Sequence, residues 1–82
     1  MMQYMQNNIK KDPKVQFGCQ LRKLRTSKGL SQEALALAAG LDRTYVSGCE
    51  RGTRNIGLEN IHKLAEALEI CPSMFFISGE EE

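Results

Sequence analysis

No stretch of this sequence is apolar over the roughly 18 residues that a membrane-spanning helix needs. The opening Met1-Met2-Gln3-Tyr4-Met5 has neither the basic stretch nor the apolar centre of a secretory signal. A cytoplasmic location with no membrane partner is therefore expected. Cysteine is sparse and badly placed for metal: Cys19, Cys49 and Cys71 form no C-x-x-C pair, and an odd count does not complete a disulfide framework. Reduced thiols are expected at all three positions, with at least two of them serving as small core residues. His62 is the single histidine and stands alone on its helix beside Lys63, which suits a surface position better than a ligand or a catalyst. No nucleophile–base pair, paired catalytic carboxylates, metal-ligand cluster or phosphate loop is visible, so neither an enzyme nor a cofactor is expected. Strand alternation and internal repeats are missing as well.

What the sequence does have is a lopsided charge. The formal net charge of +1 over 82 residues is poor for a nucleic-acid binder. Its distribution is not: residues 14–56 carry eight basic and three acidic side chains, and residues 57–82 carry one basic and six acidic. A basic centre joined to an acidic end suits a molecule with one face against phosphate and another turned away from it.

One small domain is expected at this length, with a modest core for which dimerisation is a common remedy. Residues 1–11 read as a flexible amino-terminal arm, residues 12–78 as the folded domain and residues 79–82 as an acidic tail. Asp12-Pro13 marks a helix start, and Val15, Cys19 (or Gly18), Leu21, Leu24 and Arg25 follow at helical spacing until Gly29 closes the helix near Lys28. Ser31 is placed to cap a second helix over Gln32–Ala39, which Gly40 ends. Asp42 is placed to cap a third from Arg43 to about Arg51, which Gly52 ends. A loop over 53–57 precedes a fourth helix from about Leu58 to Glu69, with Leu58, Ile61, Leu64, Ala65 and Leu68 on one stripe. Pro72 opens a short fifth helix reaching about Ile77. The expectation is an all-α, compact five-helix bundle.

Residues 31–52, SQEALALAAGLDRTYVSGCERG, carry the most information. Two short helices that cross steeply and touch need a small residue, a turn that tolerates positive φ, and apolar plugs. Ala36 is the small residue, Gly40 the turn, and Leu35, Ala39, Leu41, Val46 and Cys49 the plugs. The opposite face of the third helix holds Arg43, Thr44, Ser47 and Arg51, flanked by Tyr45. An exposed helix with polar groups near its start fits the DNA major groove, where arginine can bond two acceptors of guanine. Arg43 is the first candidate for a base contact, with Thr44 and Ser47 beside it. Tyr45 is placed for a base edge, a phosphate or packing. Gln32, with its cap Ser31, stands where the positive end of a helix meets phosphate. Arg51, Arg54 and Asn55 are candidates for the DNA backbone, with base contact an alternative for the arginines. Arg22, Lys23 and Lys28 read as a solvated helix face.

Over about residues 15–77 this arrangement resembles the phage-repressor-type (Cro-like, XRE) helix-turn-helix family, and LDRTYVSGCERGTRN looks most like the controller proteins of restriction–modification systems. The resemblance implies a lambda-repressor-like fold whose helix-turn-helix is formed by helices 2 and 3. It also implies a small dimeric transcription regulator on an inverted-repeat operator in double-stranded DNA, with RNA polymerase as a further partner. It implies that Gln32 clamps the DNA backbone, that Arg25 and Glu50 form a structural ion pair, and that a homodimer forms through the fifth helix. Met74, Phe75 and Phe76 are the candidate interface there, one aromatic belonging to the monomer core and the other exposed. A phage-type repressor and an antitoxin that masks a toxin protein are the alternatives compatible with the same residues.

Overall fold

In the computed structural model, which describes residues 12–77, the regular elements are all helical: α1 Pro13–Ser27, α2 Gln32–Ala39, α3 Arg43–Arg51 and α4 Leu58–Leu68, followed by a 3-10 helix over Pro72–Phe76. The arm expected over 1–11 and the tail expected over 79–82 lie outside the described residues. The bundle thus has four α-helices, not five. The segment after Pro72 is only five residues long and closes as a 3-10 turn, the form that short helical pieces favour.

The helix ends follow from local chemistry. The Asp12 carboxylate accepts from the Lys14 N–H at 2.9 Å, with Pro13 at the first helical position. The Ser31 hydroxyl accepts from the Ala34 N–H at 3.0 Å. Gly40 leaves α2 at φ 71°, which lets the Leu41 N–H reach the Ala36 carbonyl at 2.9 Å. Asp42 departs from expectation. Its side chain makes no capping bond; its backbone carbonyl instead accepts from the Tyr45 and Val46 N–H groups, and the side chain stays in solvent. Glu69 ends α4 at φ 60°, a left-handed conformation that costs a residue with a Cβ about 1–2 kcal/mol. Glu69→Gly is therefore expected to stabilise the domain by about 0.5–1 kcal/mol once glycine's larger unfolded-state entropy is counted. The check is a higher urea midpoint at unchanged m-value.

The core gathers one or more side chains from every element. Leu21, Leu35, Val46, Cys49, Leu64 and Leu68 are essentially inaccessible, and Phe17, Ala36, Ala39, Ala65 and Phe75 complete the cluster. Each large apolar side chain contributes about 1.5–3 kcal/mol by leaving water. α1 packs against α3, α2 against both α3 and α4, and the 3-10 helix against α1 and α4. The Gln20 amide fixes that last element to α1 by donating to the Met74 carbonyl at 3.0 Å.

Several expected core positions are not in it. Leu58 is 71% exposed, because it stands at the first position of α4, ahead of the turns that meet the core. Val15 is 47% exposed. Cys19 and Cys71 are exposed, which leaves Cys49 as the one buried thiol. At the ambiguous pair in α1, Gly18 faces the core and turns Cys19 outwards.

Candidate nucleic-acid interface

α3 is a two-faced helix. Val46 and Cys49 enter the core, while Arg43 and Thr44 are exposed and Ser47 is half-buried on the other side. Its depth and tilt are set by α1. Gly18 lets the backbones of α1 and α3 meet: a Cβ at that position would stand 2.6 Å from the Glu50 carbonyl oxygen, with the Cys49 carbonyl oxygen nearer still. Nothing larger than glycine fits there without moving α3.

A single carboxylate then ties three helices together. Arg25 donates from Nε to Glu50 Oε2 at 2.6 Å and from Nη2 to Oε1 at 3.0 Å, and its Nη1 reaches the Leu30 carbonyl at 2.7 Å. Gln32 Nε2 donates to Glu50 Oε1 at 3.0 Å. Burial pushes the Glu50 carboxyl up, but the hydrogen bonds from Arg25 and Gln32 outweigh it and hold the group below the usual carboxylate value. The bond to Glu50 likewise raises Arg25 against its own burial. Burial lifts the Cys49 thiol, so it behaves as an apolar core residue.

Beyond this brace lie the side chains that the sequence assigns to DNA. Arg43, Thr44 and Arg51 project from α3, and Arg51 Nη1 donates to the Ser47 hydroxyl at 2.5 Å. Arg54 and Asn55 are exposed in the following loop. Tyr45 is half-buried, its hydroxyl accepting from Asn60 Nδ2 at 3.0 Å, and the Arg54 guanidinium lies 5.3 Å from its ring centroid. Ser31 and Gln32 stand at the start of α2, with the Gln32 amide nitrogen committed to Glu50. The guanidinium groups of Arg43, Arg51 and Arg54 thus fall on one helix and the loop that leaves it, giving that side of the bundle its positive character.

The candidate dimer residues divide. Phe75 is 2% exposed and packs on Phe17 with ring centroids 4.8 Å apart, so it belongs to the monomer core and not to an interface. Phe76 is 65% exposed, Ile77 is 52% exposed and Met74 is half-buried. Two positions of weight have no role assigned from the sequence, Asn60 and, beyond its place as an alternative on the helical stripe, Gly18. Asn60 looks like any polar residue on a helix surface. Gly18 had a trace, since a glycine in the middle of a long helix opposes propensity and marks a close approach.

Comparison with known proteins agrees with this geometry. Residues 21–74 match the helix-turn-helix family. The chain is similar to the control protein C.BamHI of Bacillus amyloliquefaciens, 48% identical over 69 residues that cover 83% of this chain and 80% of that one. It is similar to the control protein C.MunI of a Mycoplasma species, 46% identical over 72 residues, 87% of this chain and 97% of that one. The crystal structure of the restriction–modification controller protein C.AhdI from Aeromonas hydrophila superposes with a TM-score of 0.76 at 62% identity, over 77% of this chain and 96% of that one. With α2 and α3 forming the motif and the relatives matched over most of their length, the chain belongs to the helix-turn-helix family of the phage-repressor type, among the restriction–modification controller proteins.

Proposed function

We propose that this chain is a sequence-specific transcription regulator that binds an inverted-repeat operator as a homodimer and controls a restriction–modification system. The observation that carries the DNA reading is the polar, basic outer face of α3, held rigid from behind by Gly18 and the Arg25–Glu50–Gln32 brace. The names of the similar proteins support the biological setting. Arg43, Thr44 and Ser47 read bases, with Tyr45 at their edge, and Ser31, Arg51, Arg54, Asn55 and the second amide hydrogen of Gln32, the one Glu50 does not take, hold the phosphate backbone. Exposed Phe76 and Ile77, with Met74 beside them, supply the apolar surface for a second copy. Two-fold symmetry then sets the α3 helices about one DNA turn apart, roughly 34 Å. Such a regulator works in the bacterial cytoplasm, beside RNA polymerase at a promoter. Among the described residues no helix is long and apolar enough to cross a membrane.

Selection of duplexes from a random pool tests this reading. The winning sequences are expected to be inverted repeats, and affinity should fall steeply with salt as arginine and lysine release counterions. Arg43→Ala is expected to cost about 1–3 kcal/mol at one base position of each half-site and to relax selection there, whereas Arg54→Ala weakens all sequences alike if it holds phosphate only. An equal loss at every position for Arg43→Ala would remove its base-reading role. Sedimentation that shows only monomer at micromolar concentration, with and without the duplex, would remove the dimer.

A further inference from the structure

Gly48 lies on the flank of α3 that turns towards the following loop, and it is buried. A Cβ built there would stand 2.8 Å from Arg54 Cγ and 3.0 Å from its Nε. The stem of Arg54 therefore crosses the helix through the space a side chain at position 48 would fill. That path places the guanidinium over the Tyr45 ring, 5.3 Å from Cζ to the centroid, within the roughly 6 Å over which a cation is attracted to an aromatic face. Tyr45 is itself held from α4, where Asn60 Nδ2 donates to its hydroxyl oxygen at 3.0 Å. The loop is pinned at the same glycine: the Thr53 N–H and Oγ1 both donate to the Gly48 carbonyl, at 3.0 and 3.1 Å.

We propose that Gly48 and Asn60 are positioning residues for DNA recognition, which together mount Tyr45 and Arg54 as one preset unit on the edge of α3. The inference rests on the DNA-binding reading above. A long arginine that is ordered only on binding loses side-chain entropy at that moment; one already laid across a glycine and an aromatic ring has lost much of it on folding. Helix propensity disfavours glycine inside α3, so the residue weakens the helix locally in return for the channel it leaves. Asn60 sets the polarity of Tyr45. A phenol oxygen that accepts from an amide must use its own hydrogen as a donor, to the neighbouring Cys49 sulfur in the free protein and to a phosphate oxygen, the stronger acceptor, on DNA.

The test uses the full chain and a duplex that the wild-type protein selects from a random pool, with affinity followed by fluorescence anisotropy over a salt series. Gly48→Ala is expected to lower affinity about tenfold and to reduce the salt slope by about one phosphate contact, as Arg54→Ala does. The double variant should be no weaker than Arg54→Ala alone. In the Arg54→Ala background the added methyl has no other atom nearer than ordinary van der Waals contact, so Gly48→Ala should there raise the melting temperature, as alanine does in a helix. Asn60→Ala should weaken binding a few-fold in the presence of Tyr45 and have no effect in Tyr45→Phe. Gly48→Ala binding as wild type, or losing as much affinity without Arg54 as with it, overturns the role of Gly48. An Asn60→Ala loss that persists in Tyr45→Phe overturns that of Asn60. If the wild-type protein retains no duplex at all, the DNA reading falls and the inference with it.

Discussion

Arg25→Met will destabilise this domain by about 3–5 kcal/mol, the usual consequence of leaving one partner of a buried ion pair alone. The side chains of Arg25 and Glu50 are only 11% and 5% exposed, and the change removes two hydrogen bonds from the carboxylate and a third from the Leu30 carbonyl. Domains of this size have little stability to spare, so the variant should be largely unfolded near 37 °C. Arg25→Met/Glu50→Leu should recover much of the loss, because the stranded charge, more than the missing bridge, is what destabilises. The effect also has a pH signature. Glu50 is held below the usual carboxylate value in the folded state, so its contribution is complete above the unfolded-state value of roughly 4.3 and disappears as pH falls through the depressed folded value. Urea midpoints taken between about pH 5 and pH 2 should decline more steeply for wild type than for the double variant. Parallel declines, or a single variant less than about 1 kcal/mol weaker than wild type, would mean that the brace is incidental.

Gly18→Val is expected to cost at least about 3 kcal/mol, the upper range for overpacking. The atoms it meets are backbone: the Glu50 carbonyl oxygen at 2.6 Å, the Glu50 carbonyl carbon at 2.9 Å, and the Cys49 carbonyl oxygen. A flexible side chain can swing away from an intruding methyl, as Arg54 can at Gly48, but backbone carbonyls of α3 can retreat only if the helix moves. Gly18→Val should therefore lower thermal stability and displace α3 from α1, with DNA affinity lost along with it. Gly57→Ser is the matching control. No atom lies within 4 Å of a Cβ there, and the change at an N-cap position should stay within a few tenths of a kcal/mol. Equal melting temperatures for Gly18→Val and wild type would show that α1 and α3 have more freedom than their contact suggests.

The two glycines also show why some of the molecule could be read from sequence and some could not. Chain reversals and caps are local: Ser31, Gly40 and Gly52 act on atoms within a turn of themselves, and their residue types carry the information. Close approach is not local. Gly18 and Cys19 are both small, both sit near one helical stripe, and only the position of α3 decides which of them faces inwards. The same ambiguity placed Leu58 on the core stripe and led to at least two core cysteines being expected where one is buried, since a small or apolar residue meets the core only if a partner element reaches it. Arg25 and Glu50 lie 25 positions apart, so no spacing rule connects them, and only the family resemblance brought them together. Phe75 and Phe76 are identical neighbours with opposite fates: both rings lie near Phe17, at 4.8 and 5.8 Å, yet only the first is enclosed by the core. Asn60 could not be singled out at all, because its role depends on where Tyr45 ends up.

The division of α3 into an inward set, Val46, Cys49 and Glu50, and an outward set, Arg43, Thr44 and Ser47, bears on how such proteins diversify. Substitutions at exposed positions outside special contacts change stability by only about half a kcal/mol. Arg43 and Thr44 can thus vary with the fold almost indifferent to the outcome, and each change is judged on the operator alone. A duplicated gene could drift to a new operator in a few steps and leave its parent's promoter, without passing through an unfolded intermediate. Two copies in one cell would then separate into independent circuits, and the few residues that face outwards would be where that separation is written.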